Sequence, residues 1–497
     1  MNIAQHFPIL AVVIPLIAVP IIPLLGRIHR DISWAAAAAA GGASFFISVI
    51  LTHEVWVNGT ISYQLGGWTP PKGIEYRVDL LAAFVLMVIS FVGFLSLLYA
   101  KKSVDKEIEP HRIPSFYAVF ILFLLGLYGI VITGDIFNLY VFLEITSLAG
   151  YALIASGKRR YSIMASFNYL ILGTIAATFV VLGIAYLYMA TGTLNMQDLS
   201  QRLPEMYQSK VVITGFVFIV VGLLVKMALF PLHFWLPDAY KYSPSAVSAA
   251  MAATSTKVAA YVLIRMMFTV FDIEFSISGL PVTQILMVLA CIAILAGSII
   301  AISQQNIKLM LAYSSVGQIG YIVLALAMVN EVALTGGIVH VLNHAIIKGG
   351  LFFCTGAVAY KLGTEKISDM KGIGRRMPVT AFAFTIFALS IVGVPLTAGF
   401  VTKWYLITGA IASGHWFAIS VILLSSLLTA IYFGRVVNVM YFGKTDETPV
   451  KDEAPMGMLV PTLIAAALCI VFGIAAEIPV ELASGAADAL FGGGSWK

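Results

Sequence analysis

Fourteen separate runs of about twenty apolar residues divide this 497-residue chain, and no other feature narrows its possible folds as far. A bilayer core about 30 Å thick takes roughly 20 residues of helix, and unsatisfied backbone cannot face lipid, so each run predicts one helical span. The runs cover approximately residues 7–25, 33–52, 78–100, 114–133, 136–155, 164–191, 211–235, 244–270, 281–303, 308–329, 333–359, 378–412, 414–440 and 457–477. Composition agrees, with 60% hydrophobic and 11% charged residues and a mean hydropathy of +0.97. A soluble domain carries about 25% charged residues. The fold class expected is therefore all-α, a polytopic membrane protein of 14 transmembrane helices. The first run begins within the opening ten residues and has no small-residue cleavage site after it, which predicts a retained helix rather than a signal peptide.

The basic residues support the same division, because loops on the cytoplasmic side hold an excess of Lys and Arg. Of the 29 basic residues, loops after odd-numbered spans hold 19, while loops after even-numbered spans and the C-terminal Lys497 hold 5. A miscounted span would scramble that split. The odd loops are expected to be cytoplasmic and both termini outward, in a bacterial cytoplasmic (inner) membrane. The net charge of +5 sits in short loops rather than on one face, so nucleic acid is not an expected partner. No connection is long enough for a separate soluble domain, which leaves residues 1–497 as a single transmembrane domain. The connections near 53–77, 191–210 and 360–377 are expected to be loops or short surface helices. Cys291, Cys354 and Cys469 each stand alone in an apolar run and read as packing residues.

Two spans are interrupted. Span seven carries Pro231 and Pro237, and span twelve carries the stretch from Gly393 through Pro395 to Lys403. Proline removes a backbone hydrogen bond and clashes with the preceding turn. One such kink is ordinary in a membrane helix, but broken helices in both halves of a chain point to a transporter with its ion path at the breaks.

Charge inside the spans is the next signal, since a charged group at the bilayer centre costs about 2.5–3.5 kcal/mol on insertion scales. Glu144 alone of the acids lies deep within an apolar run, and Lys226, Lys257, Arg265, Lys348 and Lys403 lie within spans. A buried carboxylate needs a cationic partner to stay ionised, and Lys226 matches Glu144 in depth. The pair reads as either a proton-operated switch or a static ion pair. Lys257 follows a run of small and hydroxyl residues from Ser245 that leaves room for water. Arg265 lies near the outer end of its span and reads as snorkelling or tuning the field. His340, His344 and Lys348 recur at i, i+4 and i+8, one stripe of titratable groups up a helix. A metal site there is disfavoured, since neither a carboxylate nor a thiol accompanies the two histidines. No nucleotide, haem or flavin motif is present, so no cofactor is expected and the chain does not itself carry electrons.

The run Gly134-Asp-Ile-Phe-Asn-Leu-Tyr-Val-Phe-Leu-Glu144, the block from Lys226 through Pro231-Leu-His-Phe-Trp-Leu-Pro-Asp-Ala-Tyr240, the stretch Ser243-Pro-Ser-Ala-Val-Ser248 and Lys257 carry a resemblance. Together they resemble the proton-antiporter membrane subunits found in complex I, membrane hydrogenases and Mrp-type sodium/proton antiporters. The resemblance covers about residues 75–440. It implies two inverted five-helix repeats, helices 4–8 (114–270) and 9–13 (281–440), flanked by 1–100 and 457–497. It also implies a hydrated path at mid-membrane, with Glu144 and Lys226 as the charge pair, Lys257 the central relay, His340, His344 and Lys348 the second-half connection, and Lys403 the terminal lysine. Within the family a lysine at 403 and the short C-terminus are most similar to the D-type Mrp subunit, although the N-type complex I subunit also ends in lysine. The function implied is proton translocation in a multisubunit Na+/H+ antiporter of Mrp type, or in a redox-driven complex I-like or hydrogenase assembly. The partners implied are the other subunits, protons and sodium.

Overall fold

The structure, a computed structural model, describes residues 6–444 and 450–492. The chain runs through α1 (Phe7–Gly26), α2 (Arg30–Asn58), a hairpin of β1 (Ile61–Gln64) and β2 (Glu75–Val78), α3 (Leu80–Glu107), α4 (Ile113–Ile132), α5 (Ile136–Ala155) and α6 (Arg160–Thr191). A short α7 (Met196–Arg202) leads to α8 (Lys210–Lys226), α9 (Trp235–Tyr242) and α10 (Ser245–Ile264), whose helix continues with wider turns over Arg265–Val270. The second half holds α11 (Val282–Ser303), α12 (Ile307–Ala327), α13 (Glu331–Leu362), the short α14 (Ile373–Arg376), α15 (Pro378–Val392), α16 (Ala398–Ala412) and α17 (Trp416–Phe442). The chain then forms α18 (Met456–Ile474) and α19 (Glu477–Phe491).

Among the described residues twelve helices are long and apolar enough to cross a membrane. The other two predicted spans, 211–235 and 378–412, are not continuous helices but the broken elements α8/α9 and α15/α16. The connection at 53–77 contains the antiparallel hairpin, with Ile61 opposite Val78, where only loops or surface helices were expected. Four-residue strands are too short to register in a periodicity reading. Lys497 lies outside the described residues.

Burial grades from outside to centre. The most apolar stretch of α13 is 100% buried, against 22% for α1, so α13 is the axis of the molecule and α1 its rim. Helices α3, α10, α12, α15, α16, α18 and α19 all pack on α13. Polar side chains set where helices start: Asp79, Asp135, Asn306 and Asn330 each accept a backbone N–H three residues on. The two halves share local detail. Both α6 and α13 have 32 residues and end at a left-handed glycine, Gly192 or Gly363. Asn195, just past the turn that follows α6, bridges back to Asp135 ahead of α5, and Lys366 likewise bridges to Asn306 ahead of α12.

Each break leaves helix-end carbonyls that need partners away from water. At the first, the Trp235 indole donates to the Val225 carbonyl at 2.9 Å. At the second, Gly393 takes φ +88°, and Gly399 passes so close to the Ser390 carbonyl that a Cβ would sit 1.8 Å from it. Only glycine permits that crossing.

A buried cluster at the loop end of α13 ties the halves together. Glu365 accepts two hydrogen bonds from Arg159, at 2.7 and 2.9 Å, and pairs with Lys308 at 3.3 Å. Lys308, read from the sequence as a loop residue, is 2% exposed in the first turn of α12, because Glu365 neutralises it there. Burial alone would raise the Glu365 carboxyl, but Lys308 and Arg159 hold it down, from an ordinary 4.5 to about 2. An acid with a depressed value stabilises the fold fully above about pH 4.5 and loses that contribution as pH falls toward 2. A shift of this size corresponds to about 3 kcal/mol. Glu365→Gln is therefore expected to cost about 3 kcal/mol at pH 7 in unfolding of the detergent-solubilised protein, with variant and parent converging in acid; equal stability at pH 7 contradicts this role.

Candidate functional site

The first broken helix places Lys226 at the last position of α8, at the negative end of that half-helix dipole. This is the end of an element, where the sequence suggested mid-span. Its ammonium lies 3.6 Å from Glu144 Oε1 on α5 and donates to Ser147 Oγ at 2.7 Å, one helical turn from the glutamate. Lys226 is 7% exposed, whereas the Glu144 side chain is 28% exposed. Glu144 lies on a helical stripe with Val141 and Leu148, both exposed, at the edge of the molecule.

Inward from this pair, a cavity of about 30 Å³ is lined by Lys226, Thr146, Ser147, Tyr169 and Ser255. On the usual measure of about 10–15 Å³ per water, it holds about two. Ser255 Oγ finds no hydrogen-bond partner among the described residues, and it stands two positions before Lys257 on α10. Lys257 is fully buried and its ammonium donates to the Ala252 carbonyl of its own helix.

Across from α10 stands α13. Its His340 and His344 rings stack at 5.3 Å and 10°, and both nitrogens of His344 lack a partner among the described residues. Buried ring nitrogens without a protein partner call for water. Lys348, one turn on, donates to the Leu311 carbonyl of α12 at 2.9 Å. Lys257 interacts electrostatically with His340, His344 and Lys348, without a direct hydrogen bond among the described residues.

The line continues through Tyr321 of α12, whose ring lies 5.7 Å from His340 and 5.8 Å from the Lys403 ammonium. Lys403 reaches back across the second break. It donates to the Ile391 carbonyl at 3.3 Å, the Val392 carbonyl at 2.5 Å and Ser426 Oγ at 2.8 Å. At the second break a lysine ammonium thus meets the carboxyl end of a half-helix, whereas at the first Lys226 is itself the last residue of the half-helix and turns its ammonium to α5. Six of the seven residues proposed from the sequence are enclosed on α8, α10, α13 and α16, and the seventh, Glu144 on α5, stands at the edge. Direct contacts join Glu144 to Lys226 and Lys403 through Tyr321 to the histidines; the small cavity extends from Lys226 to the Ser255 face of α10, Lys257 stands on the other face of that helix, and Lys348 branches toward α12.

Arg265 does not snorkel. It is 4% exposed and forks onto the Asp79 carboxylate, with one N–H···O at 2.6 Å, so a buried counter-charge replaces the route to solvent. Sequence reasoning also missed Ser147, Tyr321 and Ser426. Helical spacing from Glu144 could have found Ser147, whereas Tyr321 and Ser426 reach the line only through packing of helices far apart in sequence.

Buried charge strung between two broken helices in a bundle of long apolar ones defines an antiporter-like membrane subunit. The chain belongs to the family described as NADH:quinone oxidoreductase/Mrp antiporter, transmembrane, which matches residues 133–429. It is 47% identical over 488 residues, 94% of this chain and 96% of the relative, to a Desulforudis audaxviator protein named NADH-quinone oxidoreductase subunit N. It is 32% identical over 474 residues, 95% of this chain and 94% of the relative, to the D-type subunit of the Na(+)/H(+) antiporter of Alkalihalophilus pseudofirmus. In the membrane-bound sulfane sulfur reductase, an archaeal respiratory membrane complex, one chain matches with a TM-score of 0.90 and 33% identity, over 97% of both chains.

Ser255→Ala removes one hydrogen-bonding group beside the cavity, worth about 1 kcal/mol, and is expected to slow proton flux about fivefold. Ser255→Leu fills the cavity and is expected to abolish flux in assembled complex. Dye-quench measurements in everted vesicles check both; unchanged flux in the leucine variant contradicts a route through this cavity.

Proposed function

We propose that this chain is the proton-translocating subunit of a multisubunit membrane complex, with Glu144, Lys226, Lys257, His340, His344, Lys348 and Lys403 as its proton carriers. The observation that carries this reading is the 3.6 Å pair of Glu144 and Lys226 at a broken helix, with a small cavity between Lys226 and α10, the helix that bears Lys257. Protonation of Glu144 removes the charge that holds the Lys226 ammonium, which then gives its proton to Lys257 and is left neutral. The histidine column takes the proton on and Lys403 releases it. Each step moves one proton from donor to acceptor and consumes nothing else.

Residues 114–270 and 281–440 read as two related halves of opposite orientation, supported by the matching lengths and bridges of α6 and α13. Both termini face outward in a bacterial cytoplasmic membrane. The partly exposed Glu144 makes its edge of α5 a poor lipid surface and a suitable place for a neighbouring subunit.

Two assemblies can drive such a line. The 47% identity to a relative named for an oxidoreductase favours a redox-driven complex. The relative named for a sodium/proton antiporter, at 32% identity over nearly the whole chain, supports the second, exchange of protons for sodium in an Mrp-type antiporter. In everted vesicles holding the intact complex, Lys226→Ala and Glu144→Ala are each expected to abolish proton movement while native-gel assembly persists. Full activity in both variants ends the proton-carrier reading. Proton uptake that follows an added electron donor selects the redox assembly, whereas collapse of a pH gradient on adding sodium selects exchange.

A further inference from the structure

The buried Asp79 and Arg265 pair lies outside the line from Glu144 to Lys403, yet it stands on the same face of α10 as Lys257. Lys257, Tyr261 and Arg265 follow at i, i+4 and i+8, so about 12 Å of helix rise separates the Cα atoms of the lysine and the arginine. Tyr261 lies between them. Its hydroxyl accepts the Arg265 Nε hydrogen bond at 2.9 Å and donates to the Val131 carbonyl at 2.6 Å. From Arg265 onward the helix widens into π turns, a feature that accumulates at functional positions. Beyond Arg265 comes Asp79, which caps α3 through the Ala82 N–H and lines a cavity of about 130 Å³ between α2, α3 and α19. The distribution of basic residues puts this cavity on the outer side.

Cavity, carboxylate, guanidinium, hydroxyl and lysine therefore form one column along α10. The dipole of the ion pair is fixed by the fold, with its negative end at the cavity and its positive end toward Lys257. A pair whose only task was to pin α3 to α10 would have no need of that alignment.

We propose that Asp79 and Arg265 are positioning residues that form an electrostatic plug, sealing the outer end of α10 so that protons in the outer cavity do not run back onto Lys257. This rests on Lys257 being a proton carrier. The plug opposes backflow with the positive end of a fixed ion pair rather than with apolar bulk, as an arginine does when it excludes protons from other membrane pores. Its strength is bounded: a full unit charge about 12 Å away, at an effective permittivity of about 20, changes local proton occupancy about tenfold.

The test is passive proton leak through the whole complex in proteoliposomes under an imposed outside-acid gradient, with no driving reaction. The double variant Asp79→Asn/Arg265→Gln keeps a capping side chain at 79 and a hydrogen-bonding group at 265, and it leaves no unpaired buried charge. It is expected to leak several-fold faster than the parent, up to about tenfold. Arg265→Lys keeps the charge and is expected to stay tight. A tight double variant with normal driven transport overturns the plug and leaves a structural staple; a leak equally large in Arg265→Lys overturns its electrostatic basis. Should the double variant fail to assemble, Asp79→Leu/Arg265→Met, which removes both charges and fills their place with apolar groups, decides the matter, since a leak supports the plug and a tight membrane overturns it. Adding Lys257→Ala is expected to abolish the leak. Normal driven transport in Lys257→Ala alone, by contrast, defeats the proton-carrier reading, whatever the leak shows.

Discussion

An ammonium group held away from water must find compensation inside the protein, and the shape of this bundle follows from how it finds it. A continuous helix consumes its own carbonyls and has little to offer a buried cation. A broken one exposes several carbonyls, with the dipole's negative end beside them. Lys226 sits at such an end, and Lys403 reaches back to one, taking the carbonyls of Ile391 and Val392. The prolines and glycines that interrupt spans seven and twelve are thus the means by which charge is kept at depth. The same breaks demand close packing elsewhere, and the Gly399 crossing at Ser390 shows how little freedom remains.

The second consequence is the position of α13. A helix carrying two histidines, a lysine and an asparagine would be unacceptable at a lipid surface. It is instead the most enclosed element, surrounded by neighbours from both halves, and its polar stripe faces the interior. The hydrophobic rim of α1, α6 and α17 takes the lipid contact. Buried ion pairs pin this centre at two levels: Glu365 joins the turn before α6 to the start of α12, and Asp79 joins the start of α3 to the far end of α10.

What was legible in the sequence follows from the range of each signal. Span positions were readable because twenty apolar residues are a local property, and the two breaks because proline acts within one turn. The stripe of His340, His344 and Lys348 was readable from helical spacing alone. Glu144 and Lys226 could be paired because each was conspicuous in its own run and they matched in depth. Asp79 was not conspicuous: it stands at the edge of its run, where an aspartate normally caps a helix. Its partner lies 186 residues away, so of the two readings of Arg265, snorkelling or tuning the field, the first fails because its fork is buried. Lys308 failed for the same reason, because only Glu365, far along the chain, explains a lysine inside the first turn of α12.

The halves differ in one respect that bears on direction. Lys226 faces a carboxylate, so its charge depends on the state of a titratable neighbour. Lys403 faces two carbonyls and a serine hydroxyl, all neutral, so its surroundings stay constant. In the proposed relay, a first lysine beside a titratable group and a last one among neutral groups make an asymmetry, with Glu144 placed to act on Lys226 before the rest of the line. Glu144 is also the proposed carrier nearest the molecular edge, so it can be reached from outside the bundle without disturbing the enclosed histidines. The control point and the enclosed interior are therefore separated in space. A subunit powered by a partner requires this separation, and the partly exposed stripe on α5 is where the two would meet.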